Sequence, residues 1–295
     1  MKCSFKMRLL RISVLILLLQ FVPFVRAQQP SATPAVESVL SALRANLGVY
    51  NATLPKLTCD EEVTSLYTHK GQVKRSLVED SQIQVVSVEK DGHSSYKEER
   101  TLRSMNGEPV KPGKRYKVPF FNVSDSFGAT FTNILSSDGA PCIEYRLVPE
   151  VIANGKKLLG LQFWLKPNYQ QIGAACSQWK DRGIVMTLGL DPTSLQLERL
   201  HKDEPHVDSY GLGKLFGSRY DHFIATIDYG LVPLGPKSYL VPSKVHAIWT
   251  KTPPGPDQGS YDATYRNCHL YKSHSTMIFD PTAEPLTEEP PQASH

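Results

Sequence analysis

The chain has 295 residues, with 33 Lys and Arg against 29 Asp and Glu and a formal net charge of +4. Five of the basic side chains and none of the acidic ones fall in residues 1–27, so the remainder carries 28 against 29, a net of −1. That balance excludes a binder of nucleic acid or another polyanion, which needs a concentrated basic surface to displace counterions.

Lys2, Lys6, Arg8 and Arg11 precede an almost wholly apolar run from Ile12 to Val25, and Val25, Arg26 and Ala27 offer a small-residue cleavage site before Gln28. The run of 14 residues is short of the ~20 that span a bilayer. It therefore reads as a secretory signal peptide, with an exported product in the periplasm or outside the cell and no transmembrane span in the mature chain. A polar leader, residues 28–34, follows. Pro34 is placed for a first helical turn, and Val36, Val39, Leu40, Leu43 and Leu47 recur at helical spacing up to Gly48. One amphipathic helix thus opens the domain, and its stripe needs a sheet to cover.

From Leu57 the turn signals come at strand spacing. Lys70-Gly71 divides two strands, Asp91-Gly92 divides Gln82–Lys90 from His93–Leu102, and Asn154-Gly155 divides Ile143–Ile152 from Lys157–Lys166. Asp-Gly and Asn-Gly supply the positive φ angles of tight hairpins, so these neighbours are antiparallel. A further hairpin joins Ile184–Leu190 to Leu195–Leu200 through Asp191, Pro192, Thr193 and Ser194, and Ile184, Met186, Leu188 and Leu190 alternate along its first strand. Strands are expected at Phe223–Tyr229, Ser238–Trp249 and Tyr261–Ile278. Pro242 lies inside the second of these and requires an edge or a bulge there. A short helix is expected over Asp125–Leu135. Residues 280–295, rich in Pro and acids, read as a disordered tail. The expected fold is mainly β: one domain over 35–279, a large antiparallel curved sheet or unclosed barrel of 11–12 strands with two helices.

Cys59, Cys142, Cys176 and Cys268 form no CxxC pair, which disfavours redox or zinc chemistry and favours two structural disulfides. If the Asn154-Gly155 hairpin is regular, Cys142 falls opposite Pro167 and the irregular segment beyond brings Cys176 back beside it. Cys59 and Cys268 then join the first strand to the last.

The order of elements resembles the periplasmic lipoprotein-carrier and outer-membrane lipoprotein-sorting superfamily, an unclosed β-barrel with helices across its mouth. More narrowly, LPKLTCDEEVTSLY at Leu54–Tyr67, SMNGEPV at Ser104–Val110, GIVMTLGLDPTSLQLERL at Gly183–Leu200 and TIDYGLVPLGPKSYLVPSKV at Thr226–Val245 look like a group of uncharacterised exported bacterial proteins. The resemblance covers about residues 35–279 and implies a lipid or lipoprotein as partner.

No catalytic signature stands beside this. GxSxG and HExxH are absent, and in GLGKLFG at Gly211–Gly217 a Leu follows Lys214 where a phosphate loop needs Ser or Thr. Lys111, Lys114, Arg115 and Lys117 read as a solvated turn. His201, Glu204 and His206 are interrupted by Pro205 and read as a solvent-facing strand end, and His269 and His274 share the same unsuitable spacing. Glu98, Glu99, Asp191 and Glu198 cannot be paired from sequence. Asn51 and Asn122 begin glycosylation sequons. No metal or cofactor and no enzymatic activity are expected.

Functional content lies instead in apolar residues on both faces of Leu158–Leu165, which fit a cavity-lining sheet as well as a two-layer core. Leu159, Leu161, Phe163, Leu165, Met186 and Leu188 are the candidate cavity-lining residues, beneath a lid of Val36, Val39, Leu40, Leu43 and Leu47. The leading expectation is an exported binding protein of the cell envelope that holds an apolar ligand such as an acyl chain. The alternatives are an envelope protein–protein interaction module with a filled core, and a hydrolase with an unrecognised site.

Overall fold

Among the described residues, eleven strands and one long helix make up most of the structure. The computed structural model describes residues 35–53, 57–90, 93–111, 123, 126–127, 135, 139–173, 176, 183–208, 220–234, 236–251 and 255–270. The segments expected to be a signal peptide, a polar leader and a disordered tail, the glycine-rich Gly211–Gly217, the basic Lys114–Lys117, Asn122, His274 and most of the helix expected over Asp125–Leu135 lie outside these residues.

Helix α1 is Val36–Thr53. It runs five residues beyond the expected stop at Gly48, since one interior glycine weakens a helix by only about 1 kcal/mol. The added turn is anchored by the Tyr50 hydroxyl, which donates to the Phe127 carbonyl at 2.7 Å. Val39, Leu40, Leu43, Leu47 and Tyr50 are buried and Val36 is partly so, as the 3.6-residue stripe dictates.

The strands are β1 Leu57–His69, β2 Gln72–Lys90, β3 His93–Met105, β4 Glu108–Pro109, β5 Ile143–Ala153 and β6 Lys156–Leu165. They continue as β7 Val185–Leu190, β8 Leu197–Asp208, β9 Tyr220–Leu234, β10 Lys237–Lys251 and β11 Asp257–Leu270. All belong to one antiparallel sheet in the order β4-β3-β2-β1-β11-β10-β9-β8-β7-β6-β5. First and last strands are therefore neighbours mid-sheet, and the opening lies between β4 and β5. Strand β11 starts four residues before the expected Tyr261. Strand β8 runs past Leu200 to Asp208, carrying Pro205 with it. There the ladder is irregular between Glu204 and Val207, so the proline is accommodated by a register shift.

Pro242 lies in a central strand, not an edge. The register against β9 slips between Pro242 and Lys244, so the missing N–H falls at a bulge. A second slip, between Val148 and Val151, bends the β5–β6 hairpin and moves the partner of Cys142 from Pro167 to Lys166, whose N–H donates to the Cys142 carbonyl at 2.9 Å. That bulge brings Val148 and Val151 to one face, over Gly160. It explains the apolar character of both sides of β6 without a second layer.

Sheet curvature follows from one turn. The Phe127 N–H donates to Glu98 on β3, and the Ser126 carbonyl accepts from Tyr229 on β9. These strands are five positions apart, ~24 Å in a flat sheet at ~4.8 Å per strand, which two adjacent residues cannot bridge. The sheet curls, and its inner face holds the core beneath α1.

Both cysteine pairs are bonded as the hairpin geometry anticipates. Cys142 joins Cys176 across 34 residues and Cys59 joins Cys268 across 209. The second pair sits at the β1–β11 irregularity between Thr58 and Asp60.

Candidate functional site

The inner face divides into an apolar part under α1 and a polar part toward the opposite strand ends. In the apolar part, Leu161, Phe163, Met186 and Leu188 are buried within the core cluster, and Leu159 and Leu165 are partly buried against it. Their places follow from register: Leu161 faces Leu188 and Phe163 faces Met186 across β6–β7.

A cavity of about 160 Å³ opens elsewhere, between the last turns of α1, the start of β8 and the tip of the β9–β10 hairpin. Leu43, Leu47, Tyr50, Leu197 and Leu240 supply its apolar wall, and Asn46, Gln196 and Lys237 its polar one. Val49 is 70% exposed at its rim. Asn46 ties the helix to the β7–β8 turn by donating to the Leu195 carbonyl at 3.2 Å, and Leu195 has a φ of 54°, an unusual backbone state for a bulky residue. That turn is built on Asp191, whose Oδ1 accepts from the Thr193 and Ser194 N–H groups at 3.0 and 2.8 Å. None of the six cavity candidates read from sequence lines this space. It is assembled from three segments far apart in the chain, the end of α1, Gln196–Leu197 and Lys237–Leu240.

The polar part centres on Glu61, whose side chain is 0% exposed. Arg100 grips it through Nε at 2.8 Å and Nη2 at 3.1 Å, Ser81 donates to it at 3.0 Å, and Arg100 also reaches Glu98 at 3.0 Å. Burial works most strongly against the Arg100 charge, but Glu61 and Glu98 together outweigh it and hold the guanidinium above its ordinary range. Tyr261 and Tyr265 are buried beside this group, and loss of water, aided by the Glu61 charge, keeps both phenols protonated well above the usual tyrosine range. Glu98 accepts from the Phe127 N–H at 2.8 Å, and the Phe127 ring meets Tyr265 edge-on at 5.5 Å. The cluster thus fixes Phe127 onto the inner face.

At the far strand ends Asp257 accepts from Lys251 at 2.8 Å and from Tyr67 and His69 at 2.7 Å each. Lys251, then His69 and Tyr67, hold its carboxyl well below the ordinary aspartate range. Nearby on the same face, Trp249 donates to Asp221 at 3.1 Å and Lys202 pairs with Glu204 at 2.6 Å.

Glu204 is therefore buried, not solvent-facing as its neighbourhood in sequence implied, because the longer β8 carries it along the inner face. His201 points to the other face toward Thr226, and its burial lowers its pKa. The carboxylates that sequence left unpaired find separate cations: Glu98 takes Arg100, Glu99 takes Lys97, and Asp191 and Glu198 share Lys156. Among the described residues no three His, Cys, Asp or Glu side chains converge as a metal site, and no helix is long and apolar enough to cross a membrane.

No protein-family model and no curated protein matches the sequence. Among solved structures the chain is similar to a DUF1329 family protein from Desulfovibrio piger, at 10% identity and a TM-score of 0.40, over 81% of this chain and 94% of that one. It is similar also to a domain from Vibrio parahaemolyticus described as an outer membrane lipoprotein-sorting protein, at 10% identity and a TM-score of 0.39, over 79% and 94%. A third similarity is to a LolA superfamily protein from Nitrosomonas europaea, at 9% identity and a TM-score of 0.33, over 81% and 95%. The functional reading below rests on the geometry of the chain itself.

Proposed function

We propose that the protein is an exported binding protein of the cell envelope that holds an apolar ligand, a lipid chain or the acyl part of a lipoprotein, at the junction of α1 with the curved sheet. The observation that supports this is the cavity lined by Leu43, Leu47, Leu197 and Leu240, open at Val49. Pockets that enclose a whole drug-sized ligand run to roughly 300–1,000 Å³. A void of about 160 Å³ admits only the end of a chain unless α1 moves outward.

Native mass spectrometry of protein purified from its own envelope tests the reading. The expected spectrum shows an adduct that gentle organic extraction removes, and a spectrum of bare protein under all conditions counts against it. Export is tested separately by sequencing the N-terminus of envelope-fraction protein, which should begin at Gln28 or within a residue or two.

A second reading, a protein–protein module, is favoured by the packing of the inner face itself, where Leu161 and Leu188 are 0% and Phe163 1% exposed. Under it, crosslinking in intact cells captures an envelope protein while the purified chain carries no lipid.

A further inference from the structure

The walls of the cavity are not uniformly apolar. Lys237, at the start of β10, is exposed, is the one charged residue lining the space, and has no ion-pair partner among the described residues. Elsewhere on the inner face Arg100 is matched by Glu61 and Glu98, Lys202 by Glu204 and Lys251 by Asp257. What sets Lys237 apart is its place, an ammonium without an ion-pair partner among the described residues beside a Leu-lined hole, open to an anion. Asn46 and Gln196 line the same space and offer amide hydrogen bonds beside it. The apolar depth fits a few methylenes, since a cavity of about 150 Å³ lined by aliphatic side chains accommodates a benzene-sized group.

We infer that the cavity selects a single-chain amphiphile whose head is an oxyanion, the chain lying between Leu43, Leu47, Leu197 and Leu240 and the head against Lys237. This rests on the apolar-ligand reading above and adds the chemistry of the head. Because Lys237 is exposed, its contribution is that of a solvent-accessible ion pair, worth roughly a two- to five-fold preference, and it weakens as salt is added.

The test is calorimetric titration of the purified protein with octanoate, octyl phosphate and 1-octanol, repeated on Lys237→Gln. The variant changes an exposed side chain, and an unchanged thermal unfolding profile establishes that it is folded. Octanoate or octyl phosphate binding about two- to five-fold more tightly than octanol, with the preference abolished in Lys237→Gln, supports the inference. The tighter of the two anions then distinguishes a fatty-acid carboxylate from a lipid phosphate. Equal binding of all three to the unaltered protein overturns the oxyanion head while leaving the apolar ligand standing. Failure of all three to bind overturns both.

Discussion

Along β1 the side chains of Cys59, Glu61, Val63 and Ser65 share one face, so burying that face for its apolar members takes a carboxylate with it. Arg100 and Ser81 supply the hydrogen bonds that make this tolerable. Removing only the cation leaves Glu61 charged and dry, so Arg100→Ala is expected to destabilise the fold by roughly 3–5 kcal/mol in urea unfolding. Arg100→Ala combined with Glu61→Leu should recover much of that loss. If the double variant is no more stable than the single, the network is not behaving as a buried ion pair.

Asp257 gives a pH dependence of known sign. Its carboxyl is held low in the folded state and returns to about 3.9 on unfolding, so between those values the unfolded chain binds more protons. The stabilisation is complete above about pH 5 and is lost progressively as pH falls through the unfolded pKa toward the folded one. The urea midpoint should therefore drop from pH 6 to pH 3, and the drop should be smaller in Asp257→Asn. An identical drop in the variant would assign the acid sensitivity elsewhere, Asp191 being the next candidate because Lys156 and the turn N–H groups hold it low as well.

Elements were legible to the extent that one rule governed them. The hairpins at Lys70-Gly71 and Asn154-Gly155 were fixed by positive-φ turn residues, and the observed φ of 51° at Lys70 and 50° at Asn154 agree. Pro242 announced a defect in its strand but not which kind, because the choice between edge and bulge depends on strand order, a non-local property. The β5 bulge left no such mark. Its consequence is at Gly160, where an added Cβ would stand 2.2 Å from Val148 Cγ2 and 2.9 Å from Val151 Cγ2. Both neighbours are β-branched and stiff, so Gly160→Ala should destabilise by about 1–3 kcal/mol, measured by urea unfolding. Adding Val148→Ala should return part of it. Neither the Glu61–Arg100 contact nor the cavity could be read from the chain, since the first joins β1 to β3 across β2 and the second needs α1, β8 and β10 together. Period-2 alternation along β1 did place Glu61 on the Cys59 face, which is the signal that a buried partner had to exist.

Across the whole molecule the two disulfides act on very different lengths of chain. Cys142–Cys176 closes 34 residues and Cys59–Cys268 closes 209, which in the chain-entropy account correspond to roughly 4 and 5 kcal/mol. The Cys59→Ala/Cys268→Ala pair should therefore lower the guanidinium midpoint at least as much as Cys142→Ala/Cys176→Ala. The reverse order would show that strain or residual structure, not loop length, decides their value.

The pairing of β1 with β11 also sets a clock. Ribosomal synthesis makes β1 early and its partner almost last, so the early strand must wait through about 200 residues with one edge open. Contacts that distant in sequence fold slowly, and unpaired edges recruit other chains meanwhile. The β1–β2 and β5–β10 ladders, each local, can form before β11 exists, leaving it to join two finished halves as the keystone. Pulse-labelled hydrogen exchange during refolding should accordingly show amides of β2 and β9 protected before those shared by β1 and β11.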